Sequence, residues 1–250
     1  MPTWKRAADL LFILVSLPFL LVISGVMAIY IKLVSPGPVF FRQQRIGHRG
    51  ARFNLLKFRT MHVGADIGGH KNYLDDLISS GDKPMNKLDQ NDSRLIPMGK
   101  WIRASGLDEL PQLFNVLRGE MSVVGPRPCT DYEYQHYKTW QKERFNAVPG
   151  LTGLWQVSGK NKTTFNEMIN LDIAYAREQA LWLDVRIIAR TFGVLYRQVV
   201  EARTPATAAA EAPATRTIAT ISTTTTTNNY TGGYENRIES RSSGVRILGT

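Results

Sequence analysis

The sequence predicts an α+β fold, mainly helical, with an N-terminal re-entrant membrane helix, a small cytoplasmic domain and interfacial amphipathic helices. Three observations predict it. No side chain is charged over the 22 residues from Leu10 to Ile31. Beyond them, apolar residues recur at spacings of three and four, with only short β-like runs between. A basic amphipathic segment then closes the patterned region near residue 200. The corresponding boundaries are 1–34 for the membrane helix, 35–202 for the folded domain and 203–250 for a tail.

Twenty-two uncharged residues suffice to cross a bilayer, which takes about 20 in a continuous helix. Three readings fit: a cleaved signal peptide ending near Val26-Met27-Ala28, a straight anchor, and a segment that enters the membrane and leaves on the same side. Flanking charge favours the last. Lys5 and Arg6 precede the run, and Lys32, Arg42, Arg45, Arg49, Arg52, Lys57 and Arg59 follow it with no acid between Asp9 and Asp66. Basic residues near a span favour the cytoplasmic side, so both flanks read as cytoplasmic. Pro18, which lacks an N–H, permits a bend near the middle. Asp9 is expected at the interface, paired with a basic neighbour.

"SPGPVFFRQQRIG" (35–47) leads through a Pro/Gly turn into a β-like run at Val39 to Phe41, and 52–61 reads as a second extended or mixed segment. Residues 64–93 read as a polar loop with a short helix at 71–78. Helices are predicted at 98–104, 107–118, 131–147, 164–178 and 182–200, with a turn-rich stretch at 148–159. In the last helix Arg186, Arg190 and Arg197 oppose Val185, Ile188, Phe192, Leu195 and Val199. This pattern suits an anionic membrane surface and equally a packed helix with a solvated basic face. After Arg203 the composition turns to Ala, Thr and Pro, which bury too little to offset chain entropy, so 203–250 reads as disordered.

Thirty-one Lys+Arg against 21 Asp+Glu give a net charge of +10, which calls for an anionic partner. Nucleic acid is excluded as that partner, because it explains neither the apolar N-terminus nor the acid pair below, and no basic–aromatic recognition motif is present. The lone Cys129 rules out an intramolecular disulfide and a multi-cysteine zinc site.

In "SGLDELPQL" (105–113), Asp108 and Glu109 stand side by side among apolar residues. Ser105 to Asp108 has the spacing of a helix capping box, and Leu107, Leu110, Phe114 and Leu117 follow as a core-facing stripe. Adjacent helical residues diverge by about 100°, so these carboxylates suit separate tasks better than a shared proton. One can attack phosphorus while the other holds a metal ion. In "MSVVGPRP" (121–128) two prolines flank Arg127, and a guanidinium on a stiff backbone loses little entropy on gripping phosphate.

"KRAADLLF", "SPGPVFFRQQRIG", "FNLLKFRTM", "LDELPQLFNVLRGEMSVVGPRP", "PGLTGLWQVSGKN" and "LDIAYARE" occur in the order seen in bacterial sugar transferases, the monotopic phosphoglycosyl transferases. The resemblance covers roughly residues 4–200 and is to the minimal catalytic form, without additional N-terminal membrane helices. It implies transfer of a sugar 1-phosphate from a UDP-sugar to polyprenyl (undecaprenyl) phosphate with release of UMP. That reaction begins exopolysaccharide, capsule, O-antigen or glycan assembly at the cytoplasmic face of the bacterial inner membrane.

By that resemblance Asp108 is the nucleophile, forming a phosphosugar-enzyme intermediate, and Glu109 helps to hold Mg²⁺. Lys57, Arg103, Arg127, Lys160 and Asp172 are the implied substrate- or phosphate-binding residues. Implied partners are the UDP-sugar, polyprenyl phosphate and membrane lipid, with downstream glycosyltransferases and a second copy of the chain as further candidates. Two positions depart from the pattern. Ser16-Leu17-Pro18 stands where the family has Ser-Pro, and Lys160 stands where it often has Arg, which loses the planar fork. The alternative is a non-catalytic scaffold of a polysaccharide assembly complex, against which the intact "LDELPQL" and "GPRP" blocks speak.

Overall fold

A computed structural model describes residues 1–65, 77, 78, 80, 81, 92–159 and 163–203. Most of the helix expected at 71–78, Lys160 and the tail beyond Arg203 lie outside the described residues. The structure is mainly helical, with two small two-stranded sheets.

Helix α1 (Thr3–Val34) runs through Pro18 without interruption. Its 32 residues extend about 48 Å at 1.5 Å each, well beyond the roughly 30 Å hydrocarbon layer. Between Leu10 and Val26 most of its apolar side chains face outward, and it is the described helix long and apolar enough to cross a membrane. Both of its ends, however, are fixed to the same globular body. Near the start, Lys5 is buried, donates to Tyr175 Oη at 2.8 Å and pairs with Asp184 at 2.5 Å. Arg6 donates to the carbonyls of Val116 and Leu117. Asp9 does not pair with a base: its Oδ1 accepts from Ser122 Oγ and the Val123 N–H, each at 3.0 Å. That bond satisfies a strand N–H that the adjacent sheet leaves open. Near the end, Met27 and Ile31 pack with Phe58, Ile96 and Ile102.

The exit from α1 is held by one side chain. Arg59 is buried and donates to Ser35 Oγ and to the carbonyls of Ser35, Pro36 and Pro38. A planar guanidinium can satisfy several carbonyls that the two prolines leave without partners.

Strands β1 (Phe40–Ile46) and β2 (Arg52–Phe58) form an antiparallel hairpin in register Phe40↔Phe58 to Ile46↔Arg52. It is longer than the Val39–Phe41 run the sequence suggested. Helix α2 (Gly99–Ala104) follows, then a 3-10 segment (Leu107–Gln112) and α3 (Leu113–Leu117). The expected stripe is broken here. Leu107 and Leu110 are half-buried, but Phe114 and Leu117 are 55% and 41% exposed, and Leu113 and Val116 take the core positions. A 3-10 helix turns 120° per residue against 100°, so six residues rotate the following face by roughly 120°. The capping box is absent too. Ser105 Oγ donates back to the Ile102 carbonyl, closing α2, and Gly106 at φ 74° reverses the chain into the 3-10 segment.

Strands β3 (Ser122–Val124) and β4 (Gly150–Thr152) pair in parallel. Gly125 and Gly150 make that approach possible: a Cβ on Gly125 would lie 2.2 Å from the Val148 carbonyl oxygen, and one on Gly150 2.0 Å from the Gly125 nitrogen. The predicted 131–147 helix is instead α4 (Asp131–His136), capped by a Thr130–Glu133 box, and a separate 3-10 segment (Trp140–Asn146). A short α5 (Leu154–Val157) leads to α6 (Phe165–Arg177) and α7 (Leu181–Arg203). On α7 Ile187 is buried, whereas Trp182, Phe192 and Tyr196 are exposed.

Candidate active site

The acid pair is placed by an asparagine. Asn115 on α3 is fully buried; its Oδ1 accepts from the Leu56 N–H at 3.1 Å and its Nδ2 donates to the Asn54 carbonyl at 2.8 Å. These bonds pin the 107–117 segment across β2, so Glu109 meets Lys57 of that strand: Lys57 Nζ donates to Glu109 Oε1 at 2.8 Å. Both side chains are partly exposed, at 25% and 33%.

Asp108 is more deeply buried, at only 6% exposed. Burial pushes its carboxyl up to about 6, with Glu109 adding to the rise, while Lys57 and Arg103 pull it down. Two positive neighbours thus keep a buried acid ionised near neutral pH. Pro111 lies inside the 3-10 segment and has no N–H to donate to the Asp108 carbonyl three residues before it.

A shallow cleft opens beside Glu109, lined by Lys57, Glu109, Arg127, Arg45, Gln112 and Gln156; Asp108 lies behind this lining. Of the residues expected from sequence, the structure therefore brings Asp108, Glu109, Lys57, Arg103 and Arg127 into one neighbourhood. Asp172 lies apart from the cleft surface. It is 1% exposed, ion-paired with buried Arg144, and lies behind the Arg127 backbone. Lys160 is outside the described residues.

Arg45 and Gln156 escaped notice as individual site residues. Arg45 was counted only as a basic flank of the membrane segment. Its position at the end of β1, with Nη2 donating to Gln43 Oε1 at 2.6 Å and Nη1 3.7 Å from Glu133 Oε2, depends on a contact 88 residues away in sequence. Nothing in the local pattern signals it. Cys129 is buried with its thiol pushed up to about 12 by desolvation, which makes it inert as a nucleophile.

The chemistry available is that of hard oxygen donors beside fixed cations. No cluster of three or more His, Cys, Asp or Glu occurs among the described residues. Mg²⁺ needs no such cage: it binds through one or two carboxylates, waters and substrate phosphates. The partly exposed Glu109 carboxylate at the cleft edge, next to Asp108, fits that donor requirement.

Residues 2–198 match the profile of a family described as bacterial sugar transferase. The chain is 41% identical over 181 residues to a galactosyl transferase, CpsE, of Streptococcus agalactiae, covering 70% of this chain and 39% of that protein. It is 41% identical over 175 residues to the UDP-glucose:undecaprenyl-phosphate glucose-1-phosphate transferase of Caulobacter vibrioides, covering 66% and 59%. With the exopolysaccharide production protein ExoY of Rhizobium meliloti it shares 37% identity over 185 residues, covering 74% and 80%. The matched region spans only 39% and 34% of the first two curated relatives.

Proposed function

The chain belongs to the bacterial sugar transferase family, and from that premise we propose that it transfers a sugar 1-phosphate from a UDP-sugar to undecaprenyl phosphate. The products are UMP and a lipid-diphospho-sugar. The observation that carries the reading is the buried Asp108 next to Glu109, with Lys57 close to both acids and a cleft walled by Glu109 and Arg127.

An oxygen of ionised Asp108 attacks the phosphorus that bears the sugar. The bond from that phosphorus to the bridging oxygen breaks, and UMP leaves with the electron pair. An oxygen of the acceptor phosphate then attacks the same phosphorus, and the Asp108–phosphorus bond breaks to restore the carboxylate. Burial aids the first step, because a poorly hydrated carboxylate loses little solvation on attack. Arg127 and Lys57 face the anionic substrates and offset the repulsion between them and the nucleophile. Glu109 would hold Mg²⁺, which would supply positive charge beside the diphosphate and the departing UMP.

The reading of the membrane arrangement rests on α1. Lys5 and Arg6 at one end and Met27 and Ile31 at the other pack on one globular body, which supports both ends lying on the same side of the bilayer. This supports re-entry, with the domain at the cytoplasmic face of the inner membrane. The exposed Trp182, Phe192 and Tyr196 of α7, interleaved with Arg186, Arg190 and Arg197, suit the headgroup layer. The bilayer is also where the acceptor must arrive.

The test is UMP release across a panel of UDP-sugars in lipid-supplemented protein, with and without Mg²⁺. We expect Mg²⁺-dependent release from at least one sugar and near-complete loss in both Asp108→Asn and Glu109→Gln. Full turnover by Asp108→Asn would remove Asp108 as the nucleophile.

A further inference from the structure

Arg127 sits on a backbone gripped from behind by a single buried ion pair. Arg144 Nη2 donates to the Arg127 carbonyl at 2.9 Å, and the Asp172 carboxylate is close enough to the Arg127 backbone N–H to be stabilised by it. The same guanidinium pairs with Asp172, and its Nη1 donates to Tyr137 Oη at 2.8 Å. The Arg127 carbonyl is thereby bonded to one member of the pair, and its N–H faces the other. Pro126 and Pro128 restrict the backbone on either side.

This pair is poorly explained as a source of stability. Arg144 and Asp172 are each 1% exposed and lie among Tyr137, Phe145, Phe165 and Ile169. Desolvating two charges there costs several kcal/mol by order of magnitude, and such pairs often break even against apolar replacements. Arg144 Nε, moreover, is a buried donor with no partner among the described residues. What the pair does deliver is a fixed direction for the one arginine of the cleft wall that lies between two prolines.

We propose that Arg144 and Asp172 are positioning residues that set the Arg127 side chain for the phosphate groups of the nucleotide donor. This rests on the donor being a nucleoside diphosphate sugar, and it gives Asp172 a role behind the cleft in place of direct contact with substrate. Rotation of the Arg127 peptide by a few tens of degrees would swing the guanidinium, six bonds from the carbonyl carbon, by several ångströms.

The test is a double-mutant cycle read as UMP affinity in detergent-solubilised full chain, with melting temperature followed in parallel. Asp172→Asn and Arg127→Ala are each expected to weaken UMP about tenfold, the scale of one charge-assisted contact. The double variant is expected to bind no more weakly than Arg127→Ala alone, because Asp172 then has nothing left to orient. In turnover, Asp172→Asn should raise KM for the UDP-sugar more than it lowers kcat. Multiplying losses, about a hundredfold in the double variant, would overturn the proposal, as would unchanged affinity in Asp172→Asn. If Asp172→Asn does not fold, Tyr137→Phe loosens Arg144 from its other side. It should show a smaller loss that likewise disappears in the Arg127→Ala background, and an additive loss there would refute the idea. A wild-type chain that melts cooperatively but does not bind UMP would overturn the proposed function, and this inference with it.

Discussion

Replacing Asp108 by asparagine should stabilise the folded protein while destroying its activity. Burial raises the carboxyl from the usual 3.8 to about 6 in the folded state. Below pH 3.8 the group is protonated whether the chain is folded or not, and its burial costs nothing electrostatic. As pH rises from 3.8 to about 6 the unfolded chain releases the proton while the folded chain retains it, so stability falls across that window. Above it the loss is complete, and at about 1.4 kcal/mol per pH unit it amounts to about 3 kcal/mol. Asparagine keeps the shape without the charge and escapes this cost. For a chain of this size, 3 kcal/mol corresponds to roughly 6–12 °C in melting temperature. The assay is thermal unfolding in detergent, followed by tryptophan fluorescence, for both proteins between pH 4 and 8. The variant should melt higher at pH 8, and the difference should close toward pH 4. An equal or lower melting temperature for the variant at pH 8 would refute the reasoning, as would a difference independent of pH.

Other expectations follow from the same geometry. Lys57→Met removes the main charge that pulls Asp108 down, so the acid limb of kcat/KM should move to higher pH by about one unit; an unmoved limb in the pH profile would count against the pairing. Cysteines placed at residue 2 and at residue 50 should label with a membrane-impermeant maleimide from the same side, and the buried Cys129 should not compete. Labelling from opposite sides would establish a spanning helix. Changing Trp182, Phe192 and Tyr196 together to serine should lower turnover in lipid nanodiscs several-fold while moving the melting temperature by no more than about 2 °C, since all three are exposed. A large drop in melting temperature would place them in the core.

Local features of this chain can be read from its sequence, and long-range contacts cannot. The adjacency of Asp108 and Glu109, the rigid Pro-Arg-Pro and the uncharged run at the N-terminus need no partner to be recognised. Their supports are of another kind. Lys5 and Asp184 are 179 residues apart, and Asn115 and Leu56 are 59 apart. None of the four carries a local signal of the partner to which the fold joins it. Arg59 clamps four acceptor groups at the end of α1, yet in sequence it was one more positive flank. The stripe from Leu107 to Leu117 failed for a physical reason: a helical period was assumed where Gly106 and Pro111 impose a 3-10 turn. The same turn separates Asp108, inward and buried, from Glu109, outward and paired with Lys57. The two acids differ in burial and in partner, on a tighter helix than the regular one expected.

The central claim is that Asp108 carries the phosphosugar between donor and acceptor. Intact-protein and peptide mass spectrometry after incubation with the turnover-competent UDP-sugar and Mg²⁺, without polyprenyl phosphate and quenched in acid, tests it directly. The account predicts an adduct of one sugar phosphate on the peptide containing Asp108, absent from Asp108→Asn and discharged by polyprenyl phosphate. An adduct on another residue, or turnover that persists in Asp108→Asn, would contradict it.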